Sequence, residues 1–493
     1  MRKHSRAVLG GVAAAALVTS MHLPVSAHPA HDLQNPGTSP LKGRHYDGVV
    51  DAVSPGGVPM EAMSDIRCED GMAGIFPCHK VDLASFTPLT DMESTFVNDL
   101  WGWEDDETGL QLAIVGTFEG TAFIDVTDGS NPVYLGTLES QVPGDTGNIW
   151  GDVRVYEDTA YIGSEAIDLD TYVPATGELD GFGIQVVDLT QFRGATAPID
   201  VELTHHIDDV TNSHNISLNE DSGRMYVVGS VYNVEECGTP NPEFPVLNGN
   251  GGAIVYDVAT DPNDPQFLGC LTEDGYSHDI QCVEYAGPDA DYTGREICIG
   301  SNEDTVTIYD ATDPADPVVI DRFRYLDESL EVGDIYTHQG WLSADHSYFF
   351  LGDELDELSG VASERTTYIW DLHDLDDATV IGTHTDGNTS IDHNMFVDDF
   401  LLYQANYTSG LWIYDTWKQE QGRVKMRGFF DVFPADDRTE FFGSWGTYPY
   451  FGDGKVVVTS SDEGVFVLQS RAKSSDNSDK PGGKGRGKGG SAR

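Results

Sequence analysis

Six apolar strands along this chain end in aspartate at a near-regular interval, and that repeat constrains the fold more than any single motif. They close at Asp125 (AFIDVTD), Asp188 (IQVVDLT), Asp257 (AIVYDVA), Asp310 (VTIYDAT), Asp371 (TYIWDLH) and Asp415 (LWIYDTW), with separations of 63, 69, 53, 61 and 44 residues. Around each, short β-branched and aromatic runs are punctuated by Gly, Asp, Asn and Pro, and helical periodicity is nearly absent. These are strand and turn signals. A four-strand unit repeated at this length reads as the blade of a β-propeller. The predicted fold is all-β, with seven four-stranded blades over residues 68–470.

Blade two is read as ending on PIDVELT, residues 198–204. The seventh set, GTYPYFGD, KVVVTSSD and GVFVLQS, holds only three strands. A raw sheet edge invites aggregation, so the early segment Val81–Leu89 (VDLASFTPL) is expected to supply the missing outer strand and close the ring. The Asp-Pro-x-Asp-Pro pieces at Asp261–Pro265 and Asp313–Pro317 fit turns, because Pro fixes φ and Asp bonds nearby backbone.

The ends of the chain read differently. Arg2, Lys3 and Arg6 precede an apolar run from Ala7 to Val18, and Val25-Ser26-Ala27 fits a small-x-small cleavage site. Residues 1–27 are therefore expected to be a secretory signal peptide. Residues 28–67, rich in Pro, Gly, His and Ser, read as an irregular leader. Residues 471–493 form a basic, Gly-rich tail that cannot bury a core and is expected to be disordered. No later segment has the run of about 18 apolar residues that a membrane span requires. A secreted or cell-surface protein, without a transmembrane segment and monomeric, is the expectation.

The net charge of −56 is spread over the body. Such a field repels duplex nucleic acid and anionic lipid, and favours cations or cationic partners. Six cysteines in an oxidising compartment imply disulfides. Cys68 and Cys78 bracket a short loop, and Cys282 and Cys298 lie on apolar segments joined by a turn-rich stretch, which leaves Cys237 for Cys270.

The blade openers carry the candidate chemistry. Trp103, Trp150, His214, His278, His338, His393 and Trp445 recur at steps of 47, 64, 64, 60, 55 and 52 residues. In a propeller the first strand is innermost, so these residues are expected around the central channel and are the candidate ligand-binding set. Strands alternate direction, so second-strand ends return to the same face. That brings Glu165, Asp353 and Glu354 towards the imidazoles. His214, His278, His338, His393, Asp353 and Glu354 are accordingly candidate ligands for a divalent cation, the one cofactor the sequence suggests. The competing reading is structural, since a repeated joint calls for a repeated hydrogen-bonding residue. Loop carboxylates at Asp289, Asp291 and Glu296, and at Asp353, Glu354 and Asp356, are further oxygen donors of the calcium type, without an EF-hand pattern.

Several landmarks in order resemble the secreted choice-of-anchor B family, built on LVIVD-type repeats. They are Cys68…Cys78-x-x-Val81-Asp82-Leu83, Trp101-Gly102-Trp103, Ser213-His214-Asn215, Ser277-His278-Asp279 and Gly294–Cys298. Thr337-His338-Gln339, Asp392-His393-Asn394 and Phe441–Gly454 follow. The resemblance covers about residues 68–469. It implies an extracellular β-propeller and no established reaction. The basic tail stands where relatives carry a sorting signal or hydrophobic anchor.

No GxSxG elbow, HExxH, Walker loop or GxGxxG followed by a helix is present. The leading expectation is a secreted or surface-associated binding or scaffold module whose partner is an extracellular ligand or surface polymer. The alternatives are a metal-assisted hydrolase, with Glu165 or Glu354 as general base, and a surface-layer component bridged by cations.

Overall fold

The structure, a computed structural model, describes residues 53–54, 58–142, 148–173, 178–230, 237, 252–326, 330 and 334–475. The expected signal peptide, most of the expected leader and nearly all of the basic tail lie outside them. Seven antiparallel blades of four strands follow one another around a ring, and N-terminal strands extend the sheets of blades six and seven. Their innermost strands are Val97–Glu104, Val153–Tyr156, Asn215–Asn219, Asp279–Glu284, Thr337–Leu342, Met395–Asp398 and Ser444–Tyr448. The inner strand of blade seven packs on that of blade one, closing the circle. This is the predicted seven-bladed β-propeller.

Each blade is covered on both faces by its neighbours. Inner and middle strands such as Glu296–Ser301 and Tyr348–Asp353 are therefore buried at every position, whereas the outer strand Val318–Phe323 is half-buried or exposed throughout. That two-sided burial is why the strands read as continuous apolar runs rather than alternating ones.

The six repeated aspartates share one task. Each sits at the end of a third strand, and its Oδ1 accepts the backbone N–H two residues on, from Thr127, Thr190, Ala259, Thr312, His373 and Trp417 respectively. The carboxylate thereby starts the turn towards the outer strand. In blade seven Ser470 Oγ takes the same N–H from Ala472. The Asp-Pro turns work likewise, with Asp261 and Asp313 accepting from Asn263 and Ala315.

Closure follows the expected route. Val81–Pro88 pairs antiparallel with Gly464–Ser470 and supplies the outer strand of blade seven. The expected irregular leader departs from its reading at its end, where Met63–Ile66 adds a fifth strand beside it. Phe76–His79 meanwhile pairs with the outer strand of blade six. The Cys68–Cys78 disulfide thus ties an N-terminal segment that straddles two blades. Cys237–Cys270 and Cys282–Cys298 are also bonded, the latter across the two innermost strands of blade four.

One strand reading needs correction. The outer strand of blade two is His205–Ile207, not residues 198–204. Ile199 instead donates its N–H to Leu135 O of blade one, so this stretch bonds to the neighbouring blade.

Candidate functional site

The inner strand of each blade exposes one backbone edge to the channel, and buried edge groups need partners. Polar side chains from one blade satisfy the backbone of the next. Asn98 donates to Ile149 O, Asp152 accepts from Ile216 N, and Asn215 donates to His278 O. Gln281 accepts from Leu342 N, and Gln339 both donates to Met395 O and accepts from Met395 N. The histidines belong to this system. His278 Nδ1 lies 2.8 Å from His338 O, and His393 Nδ1 lies 2.5 Å from Trp445 O. A carbonyl only accepts, so both rings donate from Nδ1 and keep the Nε2 lone pair.

The four imidazoles form a column. Ring centroids are 4.2 Å apart for His214–His278, 4.3 Å for His278–His338 and 4.5 Å for His338–His393. Tyr407 continues it at 4.6 Å and Trp445 flanks His393 at 5.3 Å. All four rings are buried. Burial pushes His214 and His393 down to about 3 and His278 well below the ordinary imidazole range, so these rings are neutral at pH 7.

Two predicted acids join them. Glu165 Oε2 lies 2.9 Å from His214 Nδ1. Glu354 is fully buried, accepts a 2.7 Å hydrogen bond from Tyr407 Oη, and stands 3.7 Å from the Nε2 atoms of both His338 and His393. Burial raises its carboxyl to about 8, against the opposing hydrogen bond from Tyr407. One donor atom each from His338, Glu354 and His393 lies within 4.8 Å of the others. Two imidazoles and a carboxyl group, once deprotonated, are a donor set for zinc-class ions.

Other candidates are placed elsewhere. Asp353 Oδ1 accepts from the backbone of Tyr336, Leu355 and Asp356, and its Oδ2 from Tyr325 Oη, so it holds a turn. Trp150 and Trp445 line a small cavity together with His214, His338 and His393. Its volume is about 10 Å³, room for one water or ion. Trp103 lies at the far end of Val97–Glu104, in the apolar core between blades. Glu296 accepts from Asn219, Ser222 and Tyr226, as a tie between blades three and four.

Below the column the channel is plugged. Arg154 Nη1 lies 2.5 Å from Asp152 and 3.6 Å from Asp99, and its guanidinium stacks 4.4 Å over Trp101. Beyond this plug, at the opposite mouth, opens a cavity of about 500 Å³. Trp101, Trp341 and Tyr450 give it aromatic walls, and Glu220, Asp221, Glu284, Asp398 and Asp399 ring it with carboxylates. The opener rule did not reveal it, because its residues lie at the other ends of the inner strands. The available signal was a polar or aromatic residue inside an apolar inner strand, such as Arg154 in VRVY or Trp341 in HQGWL.

The chain matches no protein-family model and no curated protein. Several solved structures align with most of its length. The β-propeller domain of Cps50 (Swd1) from Myceliophteria thermophila aligns over 76% of this chain and 96% of that one, at 10% identity and a TM-score of 0.44. U3-55K aligns over 76% and 95%, at 8% identity and a TM-score of 0.46. The computationally designed Ika8 protein aligns over 76% and 83%, at 11% identity and a TM-score of 0.41. The seven-bladed ring itself rests on the strand order above.

Proposed function

We propose that this protein is an extracellular binding module that takes a cationic group of its ligand into the 500 Å³ cavity. The observation that carries the reading is the lining: aromatic walls inside a ring of five carboxylates. Aromatic faces and carboxylates attract a cation together, by quadrupole and by charge. Secretion is supported by the signal-peptide pattern, the three disulfides and the choice-of-anchor B resemblance. No helix among the described residues is long and apolar enough to cross a membrane. Calorimetry with small guanidinium and quaternary-ammonium compounds, set against anionic compounds of similar size, tests the charge preference. Cations alone should bind, and equal binding of the anions overturns it.

A second reading rests on a separate observation, the convergence of His338, Glu354 and His393. It is a metal centre, and with Glu165 beside His214 as general base it becomes a metal-assisted hydrolase. Metal retained through dialysis, and lost in the His338→Ala/His393→Ala double variant, is the expected result. Metal-free protein of unchanged stability removes the reading.

A further inference from the structure

A second cluster lies at the joint between blades five and six, outside the histidine column. After the strand Tyr348–Asp353 the chain turns through the short helix Asp356–Ser359, which brings Asp356 and Glu357 into the interior. Asp392, two residues after Ser390 and just before the inner strand of blade six, faces them. One carboxylate oxygen from each of the three lies within 4.8 Å of the others, and all three residues are buried.

Oxygen by oxygen, the cluster is under-satisfied. Asp356 Oδ2 accepts from Tyr368 Oη at 3.0 Å, and Glu357 Oε1 accepts from Thr366 N at 3.0 Å. Asp356 Oδ1, Glu357 Oε2 and both oxygens of Asp392 accept no hydrogen bond from outside the cluster. Asp392 is only 1% exposed. The nearby guanidinium of Arg365 is committed to Asp386, Ser390, Ser409 and Tyr414. Space is kept for the Asp392 carboxylate: a Cβ on Gly352 would stand 2.5 Å from its Oδ2.

An unpaired buried charge is costly, so buried carboxyl groups are paired, coordinate metals or hold a proton that a metal can displace. Three converging carboxyl groups, with no imidazole or thiolate among them, make a hard-ion environment. Calcium accepts six to eight oxygens in flexible geometry, with waters completing the shell. We propose that Asp356, Glu357 and Asp392 bind a calcium-class cation that pins the blade-five turn to the inner strand of blade six. This site is distinct from the histidine column, which it adjoins through His393 and Glu354, and from the acidic cavity.

The test is a terbium and calcium titration of the full chain after EDTA treatment, followed by luminescence and by thermal melting. Tyr368, bonded to Asp356, is placed to sensitise terbium. One calcium-displaceable terbium and a calcium-dependent rise in melting temperature are expected. Asp392→Asn should weaken that site at least tenfold, while His338→Ala/His393→Ala leaves it in place. Should Asp392→Asn fail to fold, Glu357→Gln is read in its stead, with the same loss expected. Wild-type protein that melts at the same temperature in calcium and in EDTA overturns the proposal. Unchanged terbium affinity in the carboxylate variant overturns it equally.

Discussion

His393 of blade six donates from Nδ1 to the backbone oxygen of Trp445 in blade seven at 2.5 Å. His278 makes the same bond to His338 O two joints earlier. His278 and His393 therefore tie neighbouring blades together through Nδ1 and carry the lone pair on Nε2. The structural and the ligand-binding readings of this column are compatible, because each uses a different atom of the ring.

His278→Ala should be costly even without any ligand. It leaves the buried carbonyl of His338 without its donor and opens a cavity between rings. A loss of about 2–4 kcal/mol is expected from these two effects, measured by urea unfolding. A loss below about 0.5 kcal/mol contradicts the joint role.

Glu354 sets a pH dependence of definite sign. Its carboxyl is held at about 8 in the folded chain against an ordinary 4.5. A raised folded value gives stability that is full below the unfolded value and lost as pH rises through the folded one. Metal-free wild type should therefore lose stability between pH 4.5 and 8 relative to Glu354→Gln. Parallel melting curves for the two proteins across that range rule this out.

The histidines act in the opposite direction. His214 and His393 sit at about 3 in the folded chain against an ordinary 6.5. Their contribution is full above pH 6.5 and is lost as pH falls towards 3. His214→Phe should show a shallower acid decline than wild type, as followed by melting temperature.

Ring closure depends on the outer strand of blade seven. Phe86 is buried and packs on Phe466 with centroids 4.6 Å apart. Phe86→Ala should cost about 3–5 kcal/mol. Deleting residues 68–90 should open the ring, and a folded monomer with unchanged melting would show that closure lies elsewhere.

Much of the fold was legible because it rests on local chemistry. The Asp that ends each third strand makes a hydrogen bond two residues away, so the repeat of the residue is the repeat of the turn. The cysteine pairs and the closing strand Val81–Pro88 followed from spacing and from the need to cover an edge. The histidine column was legible for the same reason, since its members open successive blades. What escaped depends on which way a residue faces within a strand. Trp101 rather than Trp103 reaches the channel, and Arg154 plugs it. Asp392 meets Asp356 and Glu357 only because blade six follows blade five around the ring.

Binding compared across the two mouths of the channel tests the account most directly. A quaternary-ammonium probe titrated calorimetrically into wild type, Trp341→Ala and His338→Ala/His393→Ala separates them. Affinity should fall at least tenfold in Trp341→Ala and stay at the wild-type value in the histidine variant. Loss of binding in the histidine variant, with Trp341→Ala unaffected, would move the ligand to the other mouth and contradict the cavity assignment.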